Sequence, residues 1–143
     1  MTDNTDKAER KLFLLDAYAL IYRSYFAFIR NPRFNSKGVN TSAALGFANT
    51  LVQLLENEKP ECIGVVFDMS KPTFRHAMFP EYKANRQEMP EDLRKAVPYI
   101  RKMVEAFRIP ILEKEGYEAD DIIGTLARQA AGEGFKTYMM TPD

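Results

Sequence analysis

Cys62-Ile63-Gly64-Val65-Val66-Phe67-Asp68 is a short, almost wholly apolar run that closes on a carboxylate. A run of that length, rich in β-branched and aromatic residues, reads as a buried strand. Residues 11–16, Lys-Leu-Phe-Leu-Leu-Asp, repeat the pattern and also end on an acid, Asp16. Shorter strands are expected at residues 109–113 and 136–141, the latter followed at once by Asp143. Helices separate them. Residues 17–29 are rich in Ala, Leu, Ile, Tyr and Phe without Gly or Pro. After a loop at residues 31–40, Thr41 or Ser42 can cap a second helix, on which Ala44, Phe47, Ala48, Leu51 and Leu55 form one apolar face and which Pro60 ends. Residues 90–107 open with Pro90, Glu91 and Asp92, suited to a first turn, and Pro98 predicts a kink or break. Residues 119–131 put Ile122, Ile123, Leu126, Ala127 and Ala130 on one face, with Gly132 as the stop. Strands alternating with helices imply an α/β fold, with a mainly parallel sheet covered on both faces. In such sheets ligands bind beyond the carboxyl ends of the strands.

The chain has 143 residues, one domain's worth and long enough to bury a core. Its 45% apolar and 28% charged residues exclude disorder, collagen and coiled coil. No apolar run approaches the roughly 20 residues of a membrane helix. The polar tail at residues 1–10 lacks the apolar centre of a secretory signal. A single cysteine, Cys62, forms no internal disulfide, which suits a reducing, intracellular compartment. Net charge is zero but unevenly spread. Residues 71–102 carry eight bases and four acids, while residues 113–143 carry three bases and seven acids. A basic stretch attracts phosphates and an acidic one attracts metal ions, although charge alone also suits two solvated faces.

The acids fall where the fold would use them. Asp16, Asp68 and Asp143 follow strands, and Glu118, Asp120 and Asp121 open a helix on the same side of the sheet. Six carboxylates crowded together repel unless a cation compensates them. Carboxylates are the ligands of Mg²⁺ and Mn²⁺, and the corresponding chemistry is phosphoryl transfer or phosphodiester hydrolysis. An Asp after a strand is equally a helix cap when taken singly. Asp120 and Asp121 diverge by about 100° on a helix, so one of the two acts as a cap or through water, and Asp120 is the better ligand candidate. There is no P-loop and no Cys/His zinc spacing, and Tyr18 stands where an aspartyl phosphatase would place its second acid.

Residues 70–86 interleave bases with aromatics: Ser-Lys-Pro-Thr-Phe-Arg-His-Ala-Met-Phe-Pro-Glu-Tyr-Lys-Ala-Asn-Arg. Lys and Arg neutralise phosphates, while Phe and Tyr stack on unpaired bases. The same composition suits a loop with inward aromatics and solvated bases, and composition does not choose between them.

Five motifs in order settle on a family. Leu-Leu-Asp16-Ala-Tyr with Tyr-Arg23, Val-Val-Phe-Asp68 with Phe74-Arg75-His76, Tyr82-Lys83-Ala-x-Arg86, Gly-Tyr-Glu118-Ala-Asp120-Asp121 and Thr-Pro-Asp143 run from Lys11 to the end of the chain. They closely resemble the 5′→3′ exonuclease domain at the amino end of bacterial DNA polymerases I and, more broadly, the flap endonucleases. The resemblance implies a three-layer PIN-like domain over residues 11–143, with residues 70–107 as a basic arch-like segment and the domain cut short at its carboxyl end. It implies a structure-specific nuclease of replication and repair that hydrolyses DNA at free 5′ ends and 5′ flaps. Mg²⁺ or Mn²⁺ is the implied cofactor, two ions in the full-length enzyme, with Asp16, Asp68, Glu118, Asp120, Asp121 and Asp143 on the family's metal-site acids. Lys83 and Arg86 fall on its catalytic basic pair beside the scissile phosphate. Arg23, Arg75, Tyr82, Lys83 and Arg86 are the implied DNA contacts. A polymerase domain in the same chain, no membrane partner, and a cytoplasmic, nucleoid-associated location in a bacterium complete the expectation. The alternatives are a non-catalytic DNA-binding module or a PIN-like ribonuclease.

Overall fold

The computed structural model describes residues 10–68 and 89–140. In chain order these form β1 (Arg10–Asp16), α1 (Ala17–Ala27), α2 (Ser42–Glu58), β2 (Cys62–Val66), α3 (Glu91–Ala106), β3 (Ile111–Leu112), α4 (Ala119–Gly132) and β4 (Phe135–Met140). The strands make one parallel sheet in the order β3-β2-β1-β4. Strand alternation sorts the apolar side chains into two layers. Phe13, Leu15, Val65 and Phe67 pack with Leu20 and Ile21 of α1, Phe47 and Leu51 of α2, and Ile100 and Val104 of α3. Leu14 and Val66 face the opposite way, onto Ala119 and Ile123 of α4. The result is the expected three-layer, parallel α/β arrangement. Fully burying a Leu, Val or Phe contributes about 1.5–3 kcal/mol, so these side chains hold the layers together. Among the described residues no helix is long and apolar enough to cross a membrane.

Local chemistry explains where the elements begin and end. Asp16 caps α1 by accepting the Ala19 backbone N–H at 3.3 Å. Thr41 is the N-cap residue of α2, but its hydroxyl donates to the Arg33 carbonyl rather than capping the helix; the Asn40 Oδ1 accepts the Ser42 N–H at 3.0 Å instead. Gly46 lets α2 lie directly on α1, since a Cβ there would stand 2.5 Å from the Ser24 Cβ.

Two expectations need correction. Pro98 breaks nothing: α3 runs unbroken from Glu91 to Ala106, anchored by buried Leu93, Ala96, Ile100 and Val104. Four buried side chains outweigh the one hydrogen bond that proline removes. Gly132 is not the stop of α4 but its last residue, and the left-handed turn falls on Gly134, with φ of 87°. Of the expected arch-like segment 70–107, residues 91–106 are the packed helix α3, and residues 70–88 lie outside the described residues.

Candidate functional site

From β1 the chain steps to β2 and then β3, with α1, α2 and α3 on one face; α4 then returns across the other face to β4, beyond β1. The switch point therefore lies between β1 and β4, where parallel sheets open a crevice at their carboxyl ends. The strands end level there: Asp16 lies opposite Val66, Val66 opposite Leu112, and Leu15 opposite Met140. Asp16 is the last residue of β1, Asp68 stands two residues beyond β2, and Glu118 immediately precedes α4.

Asp16, Asp68, Glu118 and Asp121 each have a place in the local hydrogen bonding. Asp68 Oδ1 accepts the Ala119 backbone N–H at 2.6 Å, tying the outlet of β2 to the first residue of α4. Asp121 Oδ2 accepts the Glu118 N–H at 3.0 Å and closes a capping box with Glu118. Of the adjacent pair, Asp121 is thus the cap, while Asp120 is exposed. The amino ends of α1 and α4 both meet acids here, and their partial positive charge offsets some of the crowding. The donors are hard oxygens of the kind a divalent cation takes. Among the described residues, however, no three His, Cys, Asp or Glu side chains group closely enough to hold an ion. These acids do not by themselves complete a cation site, and Asp143, the sixth candidate, lies outside the described residues along with Arg75, Tyr82, Lys83 and Arg86.

Beside the acids stands a cluster that no sequence signal marked. Arg101 of α3 donates to both carboxylate oxygens of Glu113, at 2.7 and 3.1 Å, and its guanidinium lies 4.8 Å from the centre of the Phe67 ring. Tyr18 meets the same ring edge-on at 5.6 Å. The Arg101 hydrogen bonds hold the Glu113 carboxyl below its ordinary pKa, and Glu113 in turn raises that of Arg101. Burial raises the Tyr18 phenol, which also feels the charges of Arg101, Asp68 and Glu113, so it stays a neutral hydroxyl. The pairing escapes sequence reading because 12 residues and a change of element separate the partners.

Arg23, the described DNA-contact candidate, is exposed on α1. It belongs to a wider basic and aromatic surface. Residues 22–37 hold four bases and no acid. Phe26, Ile29 and Phe34 are 53%, 51% and 59% exposed, and the Arg33 guanidinium sits 5.7 Å from the Phe28 ring. A charge count over that window would have found it.

The family of the 5′-3′ exonuclease, N-terminal resolvase-like domain, matches residues 11–143. DNA polymerase I of Bacillus subtilis (strain 168) is 47% identical over 135 residues, and that of Synechocystis is 40% identical over 135. These stretches cover 94% and 92% of this chain but only 15% and 14% of those proteins. Among solved structures, T5 5′-exonuclease with bound zinc aligns over 94% of this chain and 49% of that one, at 22% identity and a TM-score of 0.69. The bacteriophage T5 flap endonuclease in a complex with DNA and metal ions aligns at 23% identity and 0.65, likewise over 94% of this chain and 49% of that one. At that identity the likeness speaks for the fold, which is the sheet and three layers described above. With a family match from Lys11 to Asp143, the chain belongs to the 5′-3′ exonuclease family, as its N-terminal resolvase-like domain.

Proposed function

We propose that this chain is the amino-terminal part of a 5′→3′ exonuclease and 5′-flap endonuclease that hydrolyses DNA phosphodiester bonds, joined in the full-length protein to a polymerase domain and working in the bacterial cytoplasm. The observation that carries the reading is the level carboxyl edge of the parallel sheet, with Asp16 at the end of β1, Asp68 just beyond β2 and tied to the first residue of α4, and the Glu118–Asp121 cap at the start of α4. Divalent cations, Mg²⁺ or Mn²⁺, belong to this reading, with Asp16, Asp68, Glu118, Asp120 and Asp143 as the oxygen donors we assign to them and Asp121 chiefly as the cap. Relatives that are DNA polymerases I, together with phage structures named for divalent metal and DNA, support it. When bound, such cations stabilise the oxygens that enter and leave the phosphorus.

The chain's own residues bind and orient the strand. We assign Lys83 and Arg86 to the phosphate beside the cut and Arg75 and Tyr82 to the strand leading to it. Arg23 and its neighbours form a second basic and aromatic surface, suited to phosphates and unstacked bases.

The test is single-turnover cleavage of a 5′-flap duplex by the full-length protein, with Mg²⁺ and with chelator, beside an Asp68→Asn control. Cleavage that needs the cation and falls at least a hundredfold in the control supports the reading. Cleavage of RNA in preference to DNA would favour a ribonuclease, and binding without cleavage would favour a DNA-binding module.

A further inference from the structure

We propose that Arg101 is a positioning residue for Asp68, acting through Phe67 and Glu113; this rests on the reading of the acidic edge as the nuclease centre. Four contacts from three elements close a ring around the outlet of β2. The Phe67 backbone N–H donates to the Leu112 carbonyl at 2.9 Å, extending the β2–β3 pairing one step beyond the strands. Leu112 is followed by Glu113, whose carboxylate takes both prongs of Arg101. Arg101 returns over the ring of Phe67, which is fully buried. The residue after Phe67 is Asp68, whose far side is held by the Ala119 N–H.

A two-pronged Arg–carboxylate pair fixes orientation as well as distance, and a cation over an aromatic face adds attraction normal to the ring. Phe67 is thus held at three points: its main chain by the bond to Leu112, and its ring by Arg101 and by the edge-on contact with Tyr18. A side chain one residue from a clamped ring inherits that rigidity. Arg101 and Glu113 are each about one-third exposed, too open for the pair to stabilise the fold strongly. Its geometry serves placement better than stability. The charged groups facing Tyr18 beside this ring are Arg101, Asp68 and Glu113.

The experiment uses the full-length protein carrying Arg101→Met, Arg101→Lys and the double change Arg101→Met with Glu113→Gln, which removes both charges. Three quantities are read: single-turnover cleavage of a 5′-flap duplex, affinity for that duplex in chelator, and hydrogen–deuterium exchange at the Ala119 amide, which reports whether Asp68 is in place. Arg101→Met should slow cleavage about tenfold, the scale on which small misplacements of a reacting group are felt. It should loosen Ala119 protection several-fold and leave duplex affinity unchanged. The double change should match it, and Arg101→Lys should recover part of both losses. Unchanged Ala119 protection with slowed cleavage, or a loss confined to duplex affinity, would overturn the proposal in favour of a direct substrate contact. Recovery in the double change would overturn it too, by tracing the loss to the orphaned Glu113 charge. If Arg101→Met is silent while Asp68→Asn is inactive, only this proposal fails; if Asp68→Asn cleaves normally, the nuclease reading itself fails.

Discussion

Asp92 shows how much one carboxylate can connect. Its oxygens accept from the Tyr25 hydroxyl at 2.9 and 3.2 Å and from the Asn40 amide at 3.0 Å, joining α3 to α1 and to the loop before α2. Burial opposes its charge, yet the Asn40 and Tyr25 donors outweigh that and hold its pKa below the ordinary Asp value. Burial and the bond to Asp92 raise the pKa of Tyr25 in turn. Tyr25→Phe removes one of the two side-chain donors to a carboxylate that is itself exposed and should cost no more than about 1 kcal/mol, read as a lower melting temperature of this domain by calorimetry. The pH dependence follows from the same bond. A folded pKa below the unfolded one contributes stability above the unfolded value, near 4, and loses it as pH falls through the folded value. Asp92→Asn should therefore flatten the loss of stability between about pH 5 and pH 3 and leave its slope near neutrality unchanged. Thermal unfolding across that range checks it, and a change confined to neutral pH would exclude Asp92 as the source.

At the scale of elements, close approach and helix continuity carry opposite expectations. Gly46→Ala gains helix propensity but drives a Cβ to 2.5 Å from the Ser24 Cβ and 3.2 Å from its Cα. Backbone does not yield as a flexible side chain does, so α1 and α2 must part. We expect a net loss of about 1–3 kcal/mol, and Ser24→Ala, which keeps the Cβ, should not restore it. Pro98→Ala should act the other way. Pro98 is exposed within α3, so no packing is lost and the hydrogen bond to the Arg94 carbonyl becomes possible. The gain in helix energy, reduced by the freer unfolded chain, should leave the domain about 1–2 kcal/mol more stable. A melting temperature that falls would mean that proline shapes α3 where it meets α2. The sequence marked Pro98 correctly as a local penalty; that the penalty is absorbed depends on Leu93, Ala96, Ile100 and Val104 finding one core together.

Among the described residues, acids lie at the carboxyl edge of the sheet, while α1 and the loop after it expose bases and aromatics. A strand running between them would meet phosphate-neutralising groups before it meets acids. Arg30→Ala and Arg33→Ala, made in the full-length protein, should each lower the salt slope of DNA binding by about one if each neutralises one phosphate. Binding measured from low to moderate salt decides this. A wild-type slope in both variants would return that face to ordinary solvated surface.

The order of strands and helices, the apolar faces and the acids at strand ends were legible from the amino-acid sequence, because periodicity and end signals act over a few neighbouring residues. The 62–68 run could be read that way, as could a capping role for one of Asp120 and Asp121; that Glu118 is the other half of the capping box could not. What only tertiary structure decided were the meetings between distant polar groups: Asp68 with the Ala119 amide 51 residues on, Asp92 with Tyr25 67 residues earlier, and Arg101 with Glu113 over Phe67. A hydrogen-bonding or charged residue suits water as well as many partners, so its pattern along the chain names none of them. The partner is chosen when burial of the apolar layers brings β2, β3, α1, α3 and α4 to fixed positions and leaves each polar group only the neighbours that those positions supply.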